Sequence, residues 1–388
     1  MKKTNFKTGS INIILLGIVS FINDAGSEMI IPILPLFIAS LGGTGLIVGL
    51  IGGINDSITS LLKVICGYWS DKTGKRKIFV FSGYLTSAGF KLILSFSFLW
   101  QHILVFSGLE RFGKGIRTAS RDAIIADSTP EKRGKGFGIH RSLDTAGAIL
   151  GSIIVFLLIY YISVDFNVII LIAACISFFS IVPLFFIKEI KSKSQKISFK
   201  LSIKKLPKSL KIFLVISGIF SFANFSYMFF ILRAQTIFSD EWSIIAPILL
   251  YVLFNIFYAL FAIPCGTLSD RIGRKKVILS GYFLFSITTM GFALFSSLYA
   301  FIILFALYGI VYAFIDGNQR ALVSDLSHEK FRATALGTYH TIVGLVALPS
   351  SLIAGYLWEV INPSSTFLLG GAVSLITVII FIIFISKK

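Results

Sequence analysis

Apolar runs of about 20 residues or more recur along the whole chain, each long enough as a helix to cross a hydrocarbon core of roughly 30 Å. Twelve are read, over residues 11–39, 45–69, 77–99, 102–125, 136–160, 166–187, 212–237, 244–268, 276–297, 300–325, 334–357 and 365–386. The runs are continuous, do not alternate, and are about twice as long as a barrel strand needs, so they specify helices and exclude a closed barrel. With 55% hydrophobic and 14% charged residues, the expected fold class is an all-α membrane protein of twelve transmembrane helices. The opening MKKTNFKTGSINIILLGIVSF has a basic head and an apolar run but no small-residue cleavage site, and reads as a retained first helix.

The formal charge of +18 does not imply nucleic acid, because of where the bases stand. They collect at Lys2, Lys3 and Lys7, at Lys72–Lys77, at Lys132, Arg133 and Lys135, in the 188–211 linker, at Arg271–Lys276, at Lys330 and Arg332, and at Lys387 and Lys388. The alternate loops, near residues 42, 100, 163, 240, 298 and 362, carry none. That asymmetry is the positive-inside pattern and sets both termini in the cytoplasm of a multi-pass protein of a prokaryotic plasma membrane. Cys66, Cys175 and Cys265 stand in apolar runs with no metal-ligand spacing, so no metal and no cofactor are expected.

The chain also repeats itself. CGYWSDKTGKRK from Cys66 and CGTLSDRIGRKK from Cys265 share Cys, Gly, Ser, Asp, Gly and a closing basic cluster at an offset of 199 residues, and ADSTPEKRGKGFG from Ala126 echoes SDLSHEKFRATALG from Ser324. Two six-helix units follow, residues 1–187 and 212–388, joined by a basic linker over 188–211. The twin loops and the two-repeat plan resemble the major facilitator superfamily. Gly67, Asp71, Gly74 and Arg76, with their copies Gly266, Asp270, Gly273 and Arg274, match its loop signature between helices 2 and 3 and between 8 and 9. Arg111-x-x-x-Gly115 is similar to the helix 4 motif of its antiporters, while helix 5 has Gly147-x-x-x-Gly151 without the antiporter proline. The resemblance covers essentially the whole chain. It implies a secondary transporter working by alternating access, related to bacterial and archaeal drug or metabolite antiporters.

The physics of the loop stands by itself. Gly74 allows a tight reversal, Gly67 a close helix approach, and Asp71 a clasp with Arg76, Arg133 or an opposing helix N-terminus. Asp71 and Asp270 contribute nothing to topology, so they read as gating residues.

The fourth run is charged where charge is expensive. Glu110, Lys114, Arg117 and Arg121 share one helical stripe, and Glu110, Arg111 and Lys114 lie roughly 12–18 Å below the outer end. Facing lipid, each would cost at least several kcal/mol, so the stripe faces the bundle or a wet cavity. Counter-charges stand on neighbouring helices: Asp24 and Glu28 on the first, Asp56 on the second, Lys91 on the third, and His140, Arg141 and Asp144 on the fifth. Asp24, Glu28, Asp56, Glu110 and Asp144 are the proton-coupling candidates. Arg111, Arg117, Arg141, Asn224, Tyr227, Asp316 and Arg320 are the substrate-cavity candidates, with Asn255, Tyr312 and Asn318 as further polar groups among the aromatics of the second half. Glu110 and Lys114 have the spacing of a one-turn ion pair, which leaves Arg111 to meet Asp24 or Asp56 in the cavity.

The expected function is proton-coupled export of small organic molecules by a monomer in the lipid bilayer. A carrier of organic or phosphorylated anions is the alternative, and the two differ in one observable: an anion carrier leaves unpaired cations in its cavity, an exporter of lipophilic cations unpaired acids. A membrane sensor or scaffold that moves nothing is the alternative of another class. No G-x-S-x-G elbow, His-rich metal motif or nucleotide loop supports an enzyme or an ATP-driven pump.

Overall fold

The computed structural model describes residues 6–128, 133–189, 206–327 and 332–386. Lys2, Lys3, Lys132, Lys330, Lys387, Lys388 and most of the 188–211 linker lie outside the described residues, as do the side chains of Lys7, Arg133, Lys135 and Arg332. The elements are α1 (Phe6–Ile30), α2 (Leu34–Ser40), α3 (Gly45–Thr73), α4 (Arg76–Leu94), α5 (Trp100–Ser128), α6 (Arg133–Ile162), α7 (Phe166–Phe179), a 3-10 turn (Val182–Phe186), α8 (Lys208–Ala223), α9 (Met228–Gln235), α10 (Trp242–Ile272), α11 (Arg274–Leu294), α12 (Leu298–Asp325), α13 (Arg332–Val360) and α14 (Pro363–Ser386). Among the described residues eleven spans are long and apolar enough to cross a membrane. The twelfth, α5, has the length at 29 residues, but its charges remove it from any count based on composition.

Three spans are built of two pieces. Pro32 lies between α1 and α2, where its missing N–H ends the helix. The span 166–186 finishes in the 3-10 turn around Pro183. Between α8 and α9 the break at Asn224–Tyr227 leaves backbone groups that lipid could not satisfy, and α13 supplies the partners: Ser350 Oγ donates to Phe222 O at 2.8 Å, and Ser226 N donates to Ser351 Oγ at 3.1 Å.

The chain forms two compact units, Met1–Phe37 with Ile58–Ile197, and Ile38–Ser57 with Ser198–Lys388. In the first unit, close helix approach replaces the hydrophobic effect, which has little force between helices in lipid. Gly147 and Gly151 of α6 lie directly on α1, where an added Cβ would stand 2.2 Å from Phe21 O and 2.1 Å from Ala25 O. Gly83 of α4 and Gly113 of α5 do the same at the α4–α5 crossing. The second unit packs on aromatics: the Phe230 ring stacks on Tyr308 at 4.1 Å, edges meet at Phe230–Phe292 and Phe230–Phe367, and Gly309 of α12 sits against Phe254 O of α10.

Candidate functional site

At one end of each unit the repeated loop folds into a charged clasp. Gly74 has φ +67° and Gly273 φ +97°, the left-handed region that glycine adopts without strain, so both reversals take the conformation the motif requires. Gly67 is needed for space as well, since a Cβ there would be 3.0 Å from the Ala119 Cβ, whereas at Gly266 a Cβ would meet nothing within 4 Å. Arg76, 8% exposed, binds Asp71 at 3.1 Å, donates to Ala123 O at 3.3 Å, and pairs with Asp127 at the end of α5. In the second unit Arg274 holds Asp270 at 3.2 Å and pairs with Asp325 at the end of α12. Asp127 and Asp325 were not recognised from the sequence as members of the clasp. Each lies in the second internal echo, ADSTPEKRG and SDLSHEKFR, so the two repeated motifs meet as one device.

Inside the first unit the charged stripe of α5 does face protein. Arg117 is 2% exposed and lies over the Tyr84 ring at 4.3 Å. Arg121 reaches Asp122 at 3.2 Å, Asp144 at 4.0 Å and Ser20 Oγ at 3.1 Å. Ser20 Oγ also meets His140 Nε2 at 2.8 Å and Tyr84 OH at 3.2 Å. Arg141 holds the other side of Asp144 at 2.9 Å. Because Gly147 and Gly151 bring α6 onto α1, the Asp144 carboxyl comes within hydrogen-bonding reach of the Asp24 carboxyl, with Lys114 and Arg117 in electrostatic range of Asp24. Asn23 Nδ2 donates to Asp24 at 3.0 Å. Glu28 is half-buried on α1, one turn from Asp24.

One expected pairing is overturned. Glu110, 6% exposed, is taken by Arg111 Nε at 3.3 Å and accepts from Ser87 Oγ at 2.6 Å; among the described residues Lys114 makes no ion pair with it. One-turn spacing describes a single helix, whereas α4 crosses α5 so closely at Gly83 and Gly113 that Ser87 reaches Glu110, and Arg111 turns to it. Arg111 still borders a small pocket with Ser27, Lys91, Ser107 and Glu110, whose volume of ≈ 10 Å³ is about that of one water. Asp56 stands in the part of α3 that belongs to the second unit, in range of Tyr308 and Tyr312.

The second unit contains a pocket of ≈ 140 Å³, the space that holds one benzene-sized ring. Asn224, Tyr312 and Asp316 line it, joined by Phe220, Gln319 and Tyr339. Asp316 accepts from Arg320 at 2.6 Å and from Tyr258 OH at 3.0 Å. Gln319 donates to Tyr282 OH at 2.6 Å and accepts from Tyr339 OH. Tyr227 is not among the lining residues and packs instead beside Tyr251, their rings 6.3 Å apart, and Asn318 donates to Phe314 O on its own helix. Gln319, Tyr258 and Tyr339 went unread because single polar residues in apolar helices have no spacing that marks them.

The family model "Major Facilitator Superfamily" matches residues 16–248 and 214–388. An uncharacterized MFS-type transporter of Methanocaldococcus jannaschii is 57% identical over 370 residues, 94% of this chain and 93% of that one. The multi-drug resistance efflux pump PmrA of Streptococcus pneumoniae is 31% identical over 129 residues, 33% of this chain and 32% of that protein. A mutant of the nucleoside transporter NupG has the same fold, with TM-score 0.82 and 15% identity over 96% of this chain and 99% of that one. With a repeated loop signature, membrane-length helices throughout and a family match over nearly its full length, the chain belongs to the major facilitator superfamily and is a multi-pass membrane transporter.

Proposed function

We propose that the protein is a proton-coupled secondary transporter of the plasma membrane that exports small organic molecules by alternating access between its six-helix halves, residues 1–187 and 212–388. The observation that carries coupling is the meeting of Asp24 with Asp144. A hydrogen bond between two carboxyls requires a proton on one of them, and two bare carboxylates at that range repel strongly. Lys114, Arg117, Arg121 and Arg141 surround the pair, so an opening that changes its water or its distance to these cations changes its hold on the proton. The export direction rests on the partial similarity to a multidrug efflux pump. The clasps of Arg76 and Arg274 serve as the gate, since each must release or keep a helix end as the cytoplasmic side opens and closes.

Purified protein in proteoliposomes tests coupling directly. Asp24→Asn and Asp144→Asn should each abolish accumulation driven by a pH gradient while retaining substrate counterflow, which needs no net proton movement. Wild-type response to the gradient in both variants would make the pair structural.

A further inference from the structure

Inside the first unit two buried cations stand without a carboxylate at ion-pair distance, although Asp24 and Glu110 are in electrostatic range. Lys91 and Arg117 are 1% and 2% exposed, and neither makes an ion pair among the described residues. Lys91 Nζ donates to Ser27 Oγ and Ser177 Oγ, both at 2.8 Å, which leaves one of its three N–H groups unused beside the pocket lined by Ser107 and Arg111. Among the described residues Arg117 Nε and Nη1 have no hydrogen-bond partner. The Tyr84 ring covers one face of the guanidinium but cannot accept its in-plane N–H groups.

The acids of the same interior are engaged. Glu110 is held by Arg111 and Ser87, Asp144 by Arg141 and Arg121, and Asp24 by Asn23. Arginine does not shed its charge in proteins, and a buried guanidinium with idle donors is strongly destabilising unless an acceptor arrives. The close α4–α5 crossing puts the Arg117 backbone N 2.8 Å from where a Gly83 Cβ would stand, so the base of this side chain is packed between the two helices.

Resting on the transport reading above, we infer that the transported molecule is an organic anion, whose carboxylate or phosphate oxygens are received by the idle N–H groups of Arg117 and Lys91. Arg117 supplies the planar fork that suits two oxygens, and Lys91 supplies a single-point donor.

The test uses the full chain in detergent and in proteoliposomes, with succinate, glycerol phosphate and tetraphenylphosphonium as probes. Succinate or glycerol phosphate should raise the unfolding temperature and drive counterflow, and tetraphenylphosphonium should do neither. Arg117→Gln and Lys91→Met should raise the apparent Kd of the anion about tenfold or more, and Arg117→Lys by less, as expected for lost charge-assisted hydrogen bonds. Should either variant fold poorly, the wild-type comparison of the three probes still decides. Stabilisation and counterflow by tetraphenylphosphonium without either anion would overturn the anion inference and leave the transport reading standing. Unchanged anion affinity in well-folded Arg117→Gln and Lys91→Met would overturn the assignment of these residues. If no probe of either charge moves, and a wider set of carboxylates, phosphates and amines gives no counterflow, both readings fall, the transport reading with the anion.

Discussion

Glu110 has two close candidates for its partner, and their difference is measurable. The hydrogen bond from Ser87 and the contact with Arg111 predict a coupling energy of about 0.5–3 kcal/mol in a Glu110→Gln, Arg111→Gln double-mutant cycle read by thermal unfolding. The corresponding cycle with Lys114→Gln should be additive within about 0.5 kcal/mol. Gly151 is equally exposed to test. An added methyl would stand 2.1 Å from Ala25 O, so Gly151→Ala should cost about 1–3 kcal/mol and lower the unfolding temperature, because a backbone carbonyl cannot rotate away as a flexible side chain can. A silent substitution there would mean that α1 and α6 are not as close as described. The charged stripe was legible at this scale, as was the need to bury it. Its pairing was not, because residue spacing describes one helix and the partner of Glu110 comes from another.

At the scale of the element, the clasps join three helices each through one arginine. Arg76 and Arg274 each serve two carboxylates, but the Arg76 side chain is 10% exposed and that of Arg274 28%. Losing either carboxylate strips charge from the buried Arg76, which water cannot replace, whereas Arg274 is partly solvated and loses less. Asp71→Asn and Asp127→Asn should therefore each lose most transport with folding and insertion retained, and Asp270→Asn and Asp325→Asn should be milder; initial rates in proteoliposomes, normalised to folded protein, give the comparison. Full activity in Asp127→Asn would remove α5 from the gate. The broken span α8–α9 makes a second prediction. Ser351→Ala leaves Ser226 N–H without its acceptor in a buried site, a loss of about 1–3 kcal/mol visible in thermal unfolding. The break could not be read from sequence, since FSFANFSYMFF contains neither proline nor glycine; the supporting hydroxyls stand more than a hundred residues away on α13.

For the whole molecule, the distribution of Lys and Arg predicts an orientation that chemical labelling can check. In a variant lacking Cys66, Cys175 and Cys265, a cysteine at Lys75 or Lys275 should react with a membrane-impermeant reagent only after the inner face is opened, and one at Ser297 or Ser163 should react in intact cells. The reverse pattern would invert the topology. Helices long enough to span, a doubled loop signature and the side of the membrane each loop prefers are all local or periodic properties, so the amino-acid sequence alone determined the fold class, the repeat and the family. The tertiary structure decided which charges meet. Asp24 reaches Asp144 only because Gly147 and Gly151 let α6 lie on α1, Arg76 finds Asp127 only where α4 packs beside α5, and Lys91 and Arg117 are left without a carboxylate only once Glu110 has been claimed by Arg111 and Ser87. Each of these depends on distances between helices, and a pattern along one chain contains no such distance.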